Sequence, residues 1–153
     1  MPYPPLKLPH STVNDVEMNI AKVVEIGTTI RSLLGGHGRE DIWDETWEVQ
    51  AAVEALDVMA SRWTIEIMSA LYIAGAKRFN QLKHLLKGIS SRTLSDKLKL
   101  LRENGYISRD VEDGPPIRVT YNLTEYGNNI GRLFSPLVAY IKLSKKMVQS
   151  DSS

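Results

Sequence analysis

The chain of 153 residues is 42% hydrophobic and 24% charged, with a net charge of +1, a profile that fits one globular domain with appendages. No apolar run approaches the ~18 residues that a membrane helix needs, and the proline-rich opening MPYPPLKLPHST lacks the apolar stretch of a secretory signal. The absence of cysteine excludes disulfides, thiolate metal sites and thiol redox switching, and fits a cytoplasmic location.

Residues 1–12 read as a flexible tail. From there Val13, Val16, Ile20, Val23, Gly27, Ile30 and Leu34 recur at spacings of three and four, a narrow heptad-like seam. Ser11 or Thr12 can cap this helix and the GGHG at 35–38 can end it. A lone helix of this length is marginal in water. The stripe must therefore pack on something, either a second copy of the chain or its own domain. A narrow seam suits a helix pair, so 13–40 is expected to be a dimerisation extension.

A winged domain is expected over 41–127. Its first helix should run from about Asp44 to Met59, capped by Asp41 or Asp44, with Val49, Val53, Leu56 and Ala60 in one stripe. Ser61 restarts a helix through RWTIEIMSALYIAG, with Ile65, Met68, Leu71 and Tyr72 facing inward and Gly75 as the stop. AKRF (76–79) is a short extended link. Asn80 caps a helix over 81–86 with Leu82, Leu85 and Leu86 inward, and Lys87-Gly88 makes a tight turn. Ser90 caps the next helix, 91–104, whose core face is Leu94, Leu98 and Leu101, and Gly105 ends it. The period then becomes alternating. YISRDV and IRVTYNL read as two strands joined by EDGPP, a hairpin with a proline-stiffened tip. Thr124 caps a last helix from Glu125 to about Val148, with Ile130, Leu133, Phe134, Leu137 and Ile141 inward and Pro136 expected to kink or break it near Ser135. Residues 128–148 are expected to share the dimer interface, through Leu137 and Ile141, and 149–153 read as a second flexible tail. The fold class is thus mainly α with a small β-hairpin: a helix-turn-helix with a wing.

Charge is unevenly spread along this order. Residues 1–61 hold four Lys/Arg against ten Asp/Glu, net −6, whereas 62–109 hold ten against three, net +7. Clustered positive charge around a helix-turn-helix is the footprint of a polyanion-binding face. With the leucines of 91–104 turned inward, the outer face carries Arg92, Ser95, Asp96, Lys99 and Glu103, with Ser90, Ser91 and Thr93 at the first turn. In a helix-turn-helix that first turn touches base edges in the major groove. The Arg92 fork fits guanine O6 and N7, and the short hydroxyls reach bases or phosphates. Asp96 can orient Arg92 one turn away or accept from a cytosine amine. Lys97, Lys99, Lys83, Lys87 and Arg78 are candidates for phosphates, and Arg118 on the hairpin for the backbone or minor groove.

Three segments together resemble the HxlR-type winged-helix transcriptional regulators, relatives of the MarR type. They are AAVEALDVMASRWTIEIMSALYIAGAKRFNQL, LLKGISSRTLSDKLKLLRENGYISR and PPIRVTYNLTEYG, about Ala51 to Gly127. The resemblance implies a homodimer held by terminal helices, with two recognition helices in successive major grooves of a palindromic double-stranded operator. Many members carry a cysteine where this chain has Ala51, and some sense reactive species with it. That mechanism is closed here, and a small-molecule effector of another kind remains open.

No catalytic constellation is present. His10, His37 and His84 are far apart and lack ligand spacing, so neither metal nor cofactor is expected, and GGHG lacks the GK[ST] ending of a phosphate loop. The expected function is sequence-specific DNA binding in transcription regulation, with repression the favoured direction. The competing readings are a winged helix used for protein–protein contact and a non-specific architectural DNA binder.

Overall fold

The computed structural model describes residues 3–35 and 44–151. The expected cap at Asp41, the terminator beyond Gly35, and His37 lie outside them. In chain order the elements are β1 (Leu6–Leu8), α1 (His10–Gly35), α2 (Glu45–Ala55), α3 (Asp57–Ala60), α4 (Thr64–Ala74), α5 (Phe79–Leu85), α6 (Ser91–Glu103), β2 (Ile107–Glu112), β3 (Arg118–Leu123), α7 (Glu125–Ser144) and β4 (Val148–Ser150). They form two compact units, one from the described residues up to Glu48 and from Arg132 onward, the other from Val49–Gly131. No described helix is long and apolar enough to cross a membrane.

In the first unit the two presumed tails meet. β1 pairs with β4 in parallel, Leu6 opposite Val148 and Leu8 opposite Ser150. This corrects the reading of 1–12 and 149–153 as flexible throughout. Lys7 Nζ donates to Gln149 Oε1 at 3.1 Å across the ribbon. The turn between α7 and β4 needs Lys146 in the left-handed region, φ 56°, where Met147 N–H donates to the Lys142 carbonyl at 2.9 Å. Helix α1 packs on β4 and buries Val13 and Ile20. Arg31 on α1 pairs with Glu48 on α2 at 3.0 Å.

The second unit is built on leucines. Leu82, Leu94 and Leu101 are fully buried, and Ile67, Leu71, Leu98, Ile107 and Leu123 close around them. Helix α2 is capped by Asp44, whose Oδ1 accepts from Trp47 N–H at 2.9 Å. It ends at Ala55, so the expected single helix to Met59 is two pieces, α2 and α3. Val49, Val53 and Leu56 of the expected stripe are exposed. Helix α4 starts three residues later than Ser61. Trp63 precedes it with φ 70°, and its inward face is Thr64, Ile67, Met68 and Leu71. Ile65 and Tyr72, expected inside, are exposed. Helix α5 opens at Phe79, with Arg78 N–H donating to Gln81 Oε1 at 2.9 Å in place of the expected Asn80 cap. Of its three leucines, Leu82 and Leu86 are buried and Leu85 is exposed.

The wing follows the alternation. β2 and β3 are antiparallel with Ile107 opposite Leu123 and Glu112 opposite Arg118. The AKRF link adds a third line of pairing, Lys77 and Tyr121 exchanging backbone bonds of 3.0 and 2.7 Å. Thr124 then locks the end of the wing to α7. Its Oγ1 donates to the Gly105 carbonyl at 2.6 Å and accepts from Gly127 N–H at 3.0 Å. Its N–H donates to the Tyr106 carbonyl at 3.1 Å. Gly127 sits so close that a β-carbon there would lie 2.1 Å from that carbonyl oxygen. Helix α7 runs unbroken through Pro136 to Ser144, against the expected break. Leu133, Leu137 and Ile141, expected inside, are exposed along it, while Ile130 and Phe134 are half-buried.

Candidate nucleic-acid interface

Helices α5 and α6, joined by the turn at Lys87-Gly88, are the helix-turn-helix. Gly88 has φ 92°, a conformation side chains disfavour. Ser90 caps α6, its Oγ accepting from Thr93 N–H at 3.1 Å and donating to Thr93 Oγ1 at 2.9 Å. The cap fixes the first turn, and the buried Leu94, Leu98 and Leu101 fix the rotation of the helix. What is left outward is Ser91, Arg92, Ser95, Asp96 and Lys99, all exposed. Among the described residues no ion pair joins Arg92 to Asp96, so the fork of Arg92 is uncommitted. Lys99 lies 3.9 Å from Glu103, an exposed pair one turn apart that water screens.

The other expected residues divide. Ser90, Lys83, Lys87 and Arg78 are exposed on α5 and the turns around it, in sequence positions flanking α6. Arg118 is exposed at the start of β3, with Glu112 opposite it. Thr93 is half-buried and bound to Ser90. Lys97 does not join the outer face. It is half-buried and its Nζ donates to Ser61 Oγ, in the joint between α3 and α4. Ser61, read from the sequence only as a helix cap, was thus missed as a partner of α6. A shallow groove along α5 is lined by Lys77, Asn80, Gln81, His84 and Leu85.

Behind this face Tyr106 stacks on Tyr126, ring centroids 5.3 Å apart. Burial, and then the neighbouring Tyr126, push the Tyr106 hydroxyl above the ordinary tyrosine value. Arg62 lies over the Trp63 ring at 4.6 Å, a cation–π contact beside the joint.

The expected dimer seam is split by the fold. Val13 and Ile20 are buried within the first unit, and Val16 is half-buried. Val23, Ile30 and Leu34 on α1 and Leu137 and Ile141 on α7 are exposed.

A leucine-packed helix-turn-helix, an exposed arginine-bearing second helix and a hairpin behind it define a winged-helix DNA-binding protein. The model of the HxlR-like helix-turn-helix family matches residues 58–149, and the chain belongs to that family. Among its relatives is the uncharacterized HTH-type transcriptional regulator YvaP of Bacillus subtilis, 32% identical over 84 residues, which are 55% of this chain and 77% of YvaP. The uncharacterized HTH-type regulator sll1512 of Synechocystis is 32% identical over 108 residues, 71% of this chain and 77% of that one. Two solved structures share the fold. The reduced form of the transcriptional regulator YodB from B. subtilis gives a TM-score of 0.54 at 30% identity, over 58% of this chain and 86% of YodB. A structure described as a MarR-family transcriptional regulator from Enterococcus faecalis V583 gives 0.58 at 26% identity, over 71% of this chain and 94% of that one. This chain is a DNA-binding transcriptional regulator of the winged-helix type.

Proposed function

We propose that the chain acts as a homodimer that places two copies of α6 in successive major grooves of a palindromic operator. The observation that carries this is the division of α6 into a buried leucine face and an exposed face of Ser91, Arg92, Ser95, Asp96 and Lys99. Arg92 is assigned to a guanine, the serines and Asp96 to neighbouring base edges, and Lys99, Lys83, Lys87 and Arg78 to phosphates. Arg118 on the wing is assigned to the backbone beside the site. The two-fold is assigned to the apolar residues left uncovered on α1 and α7, Val23, Ile30, Leu34, Leu137 and Ile141. A dimer seated on promoter DNA blocks access to it, so repression is the regulatory direction inferred.

The test is fluorescence anisotropy with a duplex selected from random DNA by the full chain, against a scrambled duplex, at several salt concentrations. Tight binding to the selected duplex only, weakening linearly in log salt, supports the reading, and the slope counts the phosphates neutralised. Equal weak binding to both refutes sequence recognition and leaves an architectural binder. No binding at low salt refutes DNA reading altogether.

A further inference from the structure

We propose that Lys97 is a positioning residue for α6 and not a phosphate contact, and that the joint between α3 and α4 sets how α6 is presented to DNA. This rests on α6 being the helix that reads DNA. Two independent features of the geometry support it.

The first is direction. Successive residues of a helix are turned by about 100°, which puts Lys97 roughly 60° from Leu94 and well over 100° from Arg92 and Lys99. Lys97 therefore leaves α6 at the edge of its core face, where it is half-buried, and its Nζ ends on Ser61 Oγ. A lysine used for phosphate would be drawn from the opposite face, where Lys99 already stands exposed.

The second is the rigidity of the acceptor. Ser61 N–H donates to the Val58 carbonyl at 3.2 Å and closes α3, while its own carbonyl accepts from Thr64 N–H at 3.2 Å and opens α4. Its backbone is thus held from both sides and only its hydroxyl is free to receive another element. The next residues confirm a built joint. Trp63 adopts φ 70°, which bulky side chains avoid, with Arg62 over its ring at 4.6 Å. A hydroxyl on so constrained a turn is a fixed point, and Lys97 ties the middle of α6 to it. Specific recognition depends on the pose of α6 to a fraction of an ångström, whereas non-specific attraction depends on charge alone.

The experiment uses the full chain, the selected and scrambled duplexes above, and the variants Ser61→Ala, Ser61→Thr, Lys97→Met, the double Ser61→Ala/Lys97→Met, and Lys99→Gln, each checked for folding by thermal melting. A charge-assisted bond is worth about tenfold in an equilibrium. Ser61→Ala and Lys97→Met should each weaken the selected duplex by about that factor, and the double variant should be no weaker than the worse single. Ser61→Thr, which keeps the hydroxyl, should bind as the parent does. On the scrambled duplex the salt slope should be unchanged in the Ser61 and Lys97 variants and should fall by about one in Lys99→Gln. A slope lowered by about one in Lys97→Met, with Ser61→Ala indistinguishable from the parent, would make Lys97 a phosphate contact and overturn the proposal. So would unchanged specific affinity in both single variants. Should Lys97→Met not fold, the Ser61→Ala and Ser61→Thr pair decides alone. Failure of the underlying reading looks different: Arg92→Ala and Lys99→Gln would then leave both duplexes bound as before.

Discussion

Replacing Gly127 by alanine tests the packing that joins the wing to α7. The new methyl would sit 2.1 Å from the Tyr106 carbonyl oxygen, 3.1 Å from its carbon and 3.3 Å from Leu123 Cδ2. Ordinary contact begins near 3.4 Å, so the Tyr106 peptide must withdraw by more than 1 Å. Backbone cannot rotate away as a long side chain can. That same oxygen accepts from Thr124 N–H, and Thr124 Oγ1 caps α7 through Gly127 N–H, so the retreat also opens the cap. Overpacking costs about 1–3 kcal/mol and loss of a cap about 1 kcal/mol. The expected loss is therefore about 2–4 kcal/mol, seen as a fall in melting temperature of roughly 5–15 °C. Urea unfolding followed by far-ultraviolet circular dichroism reads it directly. Thr124→Ala should cost about 1–2 kcal/mol by the cap alone, and the double variant should cost less than the two losses added, because both act on one contact. A Gly127→Ala protein within about 0.5 kcal/mol of the parent would show that the approach of α7 to Tyr106 is not as close as described.

Three further outcomes are expected. Arg92→Ala should weaken the selected duplex by about 1–3 kcal/mol and relax preference at one base position, while leaving the melting temperature unchanged; anisotropy against single-base variants of the duplex measures it. Ile30→Glu with Leu34→Glu places charge on the uncovered part of α1, where each apolar side chain buried in a dimer stabilises by about 1.5–3 kcal/mol, so sedimentation velocity should show weaker self-association in a folded protein; an unchanged dimer would move the interface to α7. Tyr106 holds its proton more firmly folded than unfolded, because its hydroxyl is raised above the ordinary 10.0 by burial and by Tyr126. Above that pH the folded chain binds more protons than the unfolded one, so stability should decline as pH rises from about 10, and the decline should be smaller in Tyr106→Phe; equal slopes in the two proteins would remove Tyr106 as the cause.

The helix-turn-helix and wing were legible because their signals are local. Leu94, Leu98 and Leu101 keep helical spacing, Ser90 caps them, Gly105 stops them, and the alternation of YISRDV begins at once. The failures have non-local or conformational causes. Nothing within LKL or VQS announces that these segments pair, since a three-residue strand depends on a partner far along the chain. The inward face of α4 includes Thr64 and Ile67 in place of Ile65 and Tyr72, which depends on what the helix packs against and not on its own apolar spacing. The angle of Lys97 on the helix, at the edge of the leucine face, sets it apart from the exposed Lys99. The exposed face of α6 follows from the spacing of its leucines, but the tie from Lys97, at the edge of the core face, to Ser61 depends on tertiary packing.

The β1–β4 ribbon has a consequence for the order in which the protein takes shape. The Lys7–Gln149 pair spans 142 residues. At about 5–20 residues per second, a ribosome needs roughly 7–30 s to make that stretch. For all of that time β1 is without its partner, whereas the helix-turn-helix and wing, whose contacts are close in sequence, lie within Phe79–Leu123 and are made before Val148. Closing so long a loop costs little more in free energy than closing one half its length, since the cost grows only with the logarithm. The delay is therefore one of supply. The helix-turn-helix and wing can thus form before the β1–β4 ribbon closes.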